Sequence, residues 1–344
     1  MAVLTVNPAA SSRAMAGIAS VLAGMCFFVI QDGMMKSLLG PISLWMLIVA
    51  RGIMAVVIFA PGIAWLGGAH RLLSPLWPIH LIRAILFTWG FSLFYAAFPL
   101  MGLAEVTTIF FAAPLFVAVM AALWLGESIG PHRIGALILG FVGVVIAINP
   151  TGGAFQWAAL LPLTCAVVYA IGQILARKIG DRETSLTTGF YTVSFSGILI
   201  LPTGWVVNQI IDFGPEFSHL RWEPSVPLDM IPVLVVLGIV GLIGYTLLSR
   251  AYQIANASLV APFDYCYLPL AAIMGWVLWD EVPGTTTLVG MGLIIAAGLY
   301  LGYRELRQAR TASEPAPTGE AVFAPGNPQA PLTLPSDIDP PDRS

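Results

Sequence analysis

The sequence has little charge: only 10% of its 344 residues are Asp, Glu, Lys or Arg, where a soluble chain carries about a quarter. It also lacks a basic surplus, since 15 Lys and Arg against 18 Asp and Glu give a net charge of −3. That balance argues against a nucleic-acid surface. Cysteine is nearly absent, with Cys26, Cys165 and Cys266 inside apolar runs, without CxxC spacing or a neighbouring His. They read as small core residues, and no disulfide, metal site or cofactor is expected. The phosphate-cradling GxxxxGK[ST] loop is missing, so ATP is not expected to drive the protein. The only adjacent acidic pair is Asp280–Glu281, too little for the acidic clusters that bind Mg²⁺ and diphosphate in lipid-modifying membrane enzymes. An enzyme is therefore not expected, and neither is a non-transporting scaffold.

What is present in abundance is apolar sequence: 58% hydrophobic residues and a mean hydropathy of +0.87. Lipid must solvate most of such a chain. About 20 apolar residues cross the hydrocarbon layer as a helix. Cutting the runs at charge, Pro and Gly predicts ten spans, at 15–38, 43–66, 79–100, 104–125, 132–149, 156–176, 186–207, 230–249, 257–279 and 286–303. A membrane β-barrel would alternate apolar and polar residues, and the continuous run 232–248 does not. The fold class is all-α. With the N-terminus in the cytoplasm, the inside segments hold Arg13, Arg71, Arg133, Arg177, Lys178, Arg182, Arg250, Arg304, Arg307 and Arg310, and the outside holds Lys36 and Arg221. This bias places residues 1–14 and a disordered, Pro- and acid-rich tail at 306–344 in the cytoplasm. The long outside loop, about 208–229, carries Trp205 and Trp222 where an interfacial belt is expected.

An internal echo runs through the chain. Ala113–Pro114–Leu115, Trp124–Leu125–Gly126–Glu127, Gly135 and Gly143 recur as Leu268–Pro269–Leu270, Trp279–Asp280–Glu281, Gly290 and Gly298, at an offset of 154 or 155 residues. Five spans per unit is an odd number, so the second unit enters the membrane inverted. Two inverted halves are what alternating access across a membrane requires. The residues point to two units, 15–149 and 156–305, of a secondary transporter.

These same residues resemble the EamA family of the drug/metabolite transporter superfamily. That family is marked by a Pro in the fourth helix, a Gly-Glu at its end and a Gly-rich fifth helix. Here these are Pro114, Gly126–Glu127, and Gly135, Gly140 and Gly143. The second copy departs from the pattern, with Trp279–Asp280–Glu281 in place of Leu-Gly-Glu. The resemblance covers about residues 15 to 305 and implies a ten-helix, two-repeat inner-membrane transporter with a central substrate cavity. Asp32–Gly33–Met34–Met35–Lys36 is similar to a bacterial subgroup assigned to uptake of riboflavin or S-adenosylmethionine. The implied cargo is a small metabolite such as a vitamin or nucleotide-like cofactor, with export of amino acids or other metabolites as the alternative.

Charges inside a membrane are costly enough to be site candidates by default. Asp32 and Lys36 lie one turn apart and can pair with each other, or serve as a gate or ligand contact. Arg51, eight residues into the second span, needs a partner from another helix or from substrate, and Asp32 is at similar depth. Arg83 reads as snorkelling at the cytoplasmic interface, and Glu105 as favoured by a helix N-terminus. Asp264 lies between Pro262 and Pro269, where missing backbone donors would break the ninth helix. Asp264 or Asp32 could carry a coupling proton; plain exchange against a counter-substrate is the other option. Tyr95, Tyr169, Tyr191, Tyr245 and Tyr265 fall inside spans, where a phenol must turn inward to be satisfied. Tyr95 and Tyr265 are the candidates for a cavity wall that takes a flat heterocycle. Gly298 and Gly302 are spaced to seat a helix crossing.

Overall fold

The computed structural model describes residues 8–66, 72–125, 130–149, 157–179, 183–255 and 260–311. Eleven α-helices account for nearly all of them: α1 Pro8–Leu38, α2 Leu44–Leu66, α3 Trp77–Ala96, α4 Leu103–Phe110, α5 Ala113–Leu125, α6 Pro131–Ile148, α7 Leu160–Ile179, α8 Ser185–Ile210, α9 Ile231–Ile254, α10 Tyr267–Trp279 and α11 Thr285–Thr311. Among the described residues the only strand-like pairing is a single bridge, Leu39 to Ile42, in the turn after α1. Large apolar side chains such as Trp65, Ile138, Val236 and Val277 face outward, as expected for a body solvated by lipid.

Among the described residues, eight helical stretches are long and apolar enough to cross a membrane. Two of the expected ten, the fifth and the ninth, are not among these. The fifth span is a shorter apolar helix, Ile134–Ile148. The ninth is not one helix: a 3₁₀ segment, Ala261–Cys266, precedes the 13-residue α10. Pro262 and Pro269 explain the division, because each removes a backbone donor and each sits where a new helical segment has just begun. The fourth span is interrupted in the same way, at Phe111–Ala112, with Pro114 in the first turn of α5. Helix ends also outrun hydropathy: α1 begins at Pro8 and α11 runs to Thr311, into the stretch expected to be tail. Arg304, Glu305, Arg307 and Arg310 are unfavourable in lipid but good helix formers. Gly126, Glu127, Arg71 and Arg182 lie outside the described residues, as does the chain beyond 311.

Packing follows the exchange of the two halves. α1 runs along α9, and its counterpart α7 runs along α3; α2 with α8, α6 with α11 and α4 with α10 each pair a span with its own counterpart. Two of these crossings need glycine. A Cβ on Gly52 would lie 2.5 Å from the Gly197 backbone, and one on Gly290 would lie 2.4 Å from the Gly143 carbonyl. Gly298 and Gly302 seat not a helix but the 3₁₀ segment, against Tyr265 and Pro262. Gly135 faces open space. The two breaks meet face to face, where Phe111 stacks on Tyr267 at 5.7 Å and packs against Tyr265 at 5.6 Å. Antiparallel traversal gives the bundle two ends. One holds Lys36 and the 211–230 loop; the other holds His80 and the start of α8.

Candidate functional site

Asp32 is fully buried on α1, and its partners come from other helices. Tyr95 donates to Oδ1 at 3.1 Å and Tyr267 donates to Oδ2 at 2.6 Å. Arg51 then donates to the Tyr95 hydroxyl at 2.8 Å, with its guanidinium 5.4 Å from the ring centroid. A buried carboxylate is stable only when its oxygens are satisfied and its charge is answered. Here two phenols do the first, and Arg51, one hydroxyl away, does the second. The expected Asp32–Lys36 pair does not form. Asp32 turns into the bundle, while Lys36 lies one turn nearer the helix end, where a different acid is in reach.

That acid is Glu281. Lys36 forms a short ion pair with it, donates to the Met101 carbonyl at 3.3 Å and lies 5.2 Å from the Trp279 ring centroid. The chain end of α10 aims Glu281 there. Asp280 adopts the left-handed conformation (φ 55°), stopping the helix and returning the next residue over it. The second Glu281 oxygen accepts from Leu103 N–H at 2.9 Å, at the N-terminus of α4, where a negative charge is favoured. Glu105 accepts from Gly102 N–H at 3.3 Å in the same turn, as expected of it. Phe94, Phe98, Phe110 and Phe111, all without solvent exposure, fill the space beneath. The 211–230 loop folds over this end: Trp45 donates to the Leu220 carbonyl at 2.8 Å, and Asn208 holds Trp222 N–H at 2.7 Å. Trp222 therefore packs against α8 and Trp45 rather than lying in an aromatic belt, while Trp205 stays exposed.

The other end is held differently. His80 and Glu183 pair at 2.6 Å, both almost completely buried, and Ser74 makes a short bond to the second Glu183 oxygen. Tyr191 stacks on His80 at 4.7 Å, accepts from Ser74 N–H and donates to the Leu72 carbonyl. None of this network was expected from the sequence.

Between the ends lies a cleft among α1, α2, α8 and α9. Apolar walls with a few polar groups, here Gln31, Arg51 and Tyr245, are typical of sites for small organic molecules. Gly241 makes room for Gln31, since a Cβ there would lie 2.2 Å from its amide oxygen. A small recess beside Arg51, Phe87 and Phe91 lies between this cleft and a second, smaller pocket among α3, α7 and α8. Arg83 lines that chamber. It is buried, with Nε donating to the Gly172 carbonyl at 3.3 Å, which corrects the interfacial reading. The sequence held a signal for this: His80, Arg83, Phe91 and Tyr95 recur at helical spacing on one face of α3, while Ile82, Ile85 and Trp89 face outward.

The structure thus brings together Asp32, Arg51 and Tyr95 and adds Tyr267. It places Lys36 in a separate network with Glu281. Asp264 is buried in the 3₁₀ segment and is not among the groups bonded to Asp32. Tyr265 packs beside it against Gly298 and Phe111. All five tyrosines expected to turn inward are buried or half-buried. Cys26, Cys165 and Cys266 are free thiols, and no cluster of metal-binding side chains occurs among the described residues.

Comparison with known proteins places this architecture. The model of the EamA-like transporter family matches twice, over residues 15–149 and 156–303. A riboflavin transporter of Vibrio cholerae is 26% identical over 74% of this chain and 82% of its own length. An S-adenosylmethionine uptake transporter of Rickettsia prowazekii is 24% identical over 85% of this chain and 97% of its own. A pseudopaline exporter of Pseudomonas aeruginosa is 25% identical over 65% and 74%. A crystal structure of a protein with 20% identity superposes with a TM-score of 0.54, covering 87% of this chain and 99% of that one. The chain belongs to the EamA-like transporter family and is a multi-pass, all-helical membrane protein.

Proposed function

We propose that this protein is a secondary transporter that carries a small, flat organic metabolite, of the vitamin or nucleotide-like cofactor kind exemplified by riboflavin, across the inner membrane by alternating access. The observation that carries this reading is the one-sided build of the bundle. The two cavities that hold a buried arginine, Arg51 in one and Arg83 in the other, lie away from the Lys36 end, which is filled by aromatic side chains and covered by a loop; a third groove, between α1 and α10, is lined by apolar side chains and Cys26. A channel or a scaffold has no need for that asymmetry; a carrier caught in one of its two states does.

The ten-against-two distribution of Lys and Arg supports placing the His80 end and both termini in the cytoplasm. The short α6 and the divided ninth span then complete ten crossings in two inverted units, 15–149 and 156–305. In this orientation the buried knot of Ser74, His80, Glu183 and Tyr191 is the cytoplasmic closure. Asp32, held by Tyr95 and Tyr267 and answered by Arg51, is the switchable charge, one turn inward from Lys36. It couples transport either by exchanging a proton or by sensing the counter-substrate. The relatives named for riboflavin and S-adenosylmethionine support a flat heterocycle as cargo, and the one named for pseudopaline supports the opposite direction of movement.

The test is reconstitution into liposomes, with labelled riboflavin and S-adenosylmethionine offered separately, in both directions and with or without a proton gradient. One of the two should cross in a saturable manner, and Asp32→Asn, although inserted and folded, should abolish accumulation. Passage of neither compound in either direction overturns the proposed cargo class.

A further inference from the structure

The chamber beside Arg83 has a property that the relay around Asp32 lacks. Arg51 has a carboxylate one hydroxyl away. Arg83 has none: among the described residues no carboxylate lies within ion-pairing distance of it, and its Nη1 has no hydrogen-bond partner. Glu183, which pairs with His80 one turn before Arg83, has one oxygen on His80 and the other on Ser74. A guanidinium does not lose its proton in a protein, so burying one without a counter-charge costs several kcal/mol. Such an arrangement persists where a ligand supplies the missing charge.

The rest of the chamber says what kind of ligand. Phe87 and Phe91, with ring centroids 4.5 Å apart, line one side, and Tyr169 meets Phe91 edge-on at 6.3 Å. Gln173 and Thr192 add polar groups to the lining. Gly172, whose carbonyl orients Arg83, leaves open space: a Cβ there would meet nothing within 4 Å. Flat apolar walls with one cation at their edge suit an aromatic ring that bears an anionic oxygen pair. One uncompensated positive charge is matched by one negative charge. A dianionic phosphate would leave a surplus charge in a low-dielectric site.

We propose that the Arg83 chamber is a binding site for the carboxylate of a planar monoacid, a site whose existence does not depend on the transport reading or on the cargo named there. Arg83 donates from Nη1 to the carboxylate, Phe87 and Phe91 take the ring, and Gly172 provides the room.

The experiment is thermal unfolding of the full chain in lipid nanodiscs with matched pairs of probes: benzoate and benzamide, nicotinate and nicotinamide, indole-3-acetate and indole-3-acetamide, with phenyl phosphate as the dianion. A ligand of the folded state raises the midpoint in proportion to its binding. In wild-type protein at least one acid should reach half its effect at roughly a tenfold lower concentration than its amide, and lower than phenyl phosphate. Arg83→Gln should erase the difference between acid and amide, Arg83→Lys should keep part of it, and Gly172→Leu should weaken acid and amide together. Equal responses to acid and amide in wild-type protein overturn the proposal without any variant, and so does a preference that survives Arg83→Gln. Liposome transport is scored separately. Acid preference without transport leaves the site standing and removes the transport reading. Saturable transport without acid preference does the reverse.

Discussion

The two ends of the bundle are closed by different chemistry. At the Lys36 end, a partly exposed ion pair, a helix N-terminus and a folded-over loop lie on a solid aromatic plug. At the His80 end, a small and fully buried polar knot of Ser74, His80, Glu183 and Tyr191 ties the start of α3 to the start of α8. The first closure is broad, and most of its stability is apolar. The second is narrow, and each of its members depends on the others. The narrow closure is therefore the one that a single substitution can break.

Breaking the polar knot should have the largest effect. Glu183→Ala leaves His80 and Ser74 without their acceptor in a dry site, and removal of one partner from a buried pair costs about 3–5 kcal/mol. Thermal unfolding in nanodiscs measures this, and Glu183→Gln should lose less. Asp32→Asn comes next and tests the ground between the ends. It should cut transport about a hundredfold, equivalent to ~2.7 kcal/mol in the barrier, while cysteine accessibility at both ends stays unchanged.

At the other end, Glu281→Gln should cost only about 1–2 kcal/mol, because the pair is partly open to solvent and the aromatic plug remains. If it destabilises as much as Glu183→Ala, the contrast drawn between the ends is wrong. The smallest effect belongs to His219, which anchors the loop through the Ala96 carbonyl at 3.3 Å. Burial holds this imidazole below its usual range, against the opposing pull of that carbonyl. The unfolded loop therefore takes up a proton first as pH falls through about 6.5. Stability contributed by the neutral ring is present at pH 7.5 and declines toward pH 5.5, by less than about 1 kcal/mol. Unfolding followed by tryptophan fluorescence should show this slope, and His219→Asn should flatten it.

Much of this was legible in the sequence where the signal is local. Apolar runs gave most of the spans, and Pro262 and Pro269 marked the break in the ninth because a missing N–H acts on its own segment, whereas the break before Pro114 was not expected. Asp32, Arg51 and Tyr95 were recoverable as a group because charge and phenol inside lipid each demand an inward partner. The identity of the partners was not recoverable. Tyr267 reaches Asp32 from 235 positions away, and Glu281 reaches Lys36 from 245, distances over which hydropathy carries no information. Arg83 was misplaced for a related reason. A hydropathy window finds where a run of apolar residues begins, whereas the helix that carries Arg83 inward begins at Trp77 and presents that face to α7. The His80–Glu183 knot joins a helix to a loop that read only as a polar break.

Opening one end should close the other, and this can be tested without knowing the substrate. In a cysteine-free background, Val193→Cys reports on the cleft, and Ala97→Cys reports on the sealed half, where the native side chain is fully buried. Labelling by a membrane-impermeant maleimide is then compared with and without Glu281→Gln. Weakening the Lys36 end should raise labelling at the Ala97→Cys position and lower it at Val193→Cys. Labelling that rises at both positions, or at neither, would contradict alternating access in this protein.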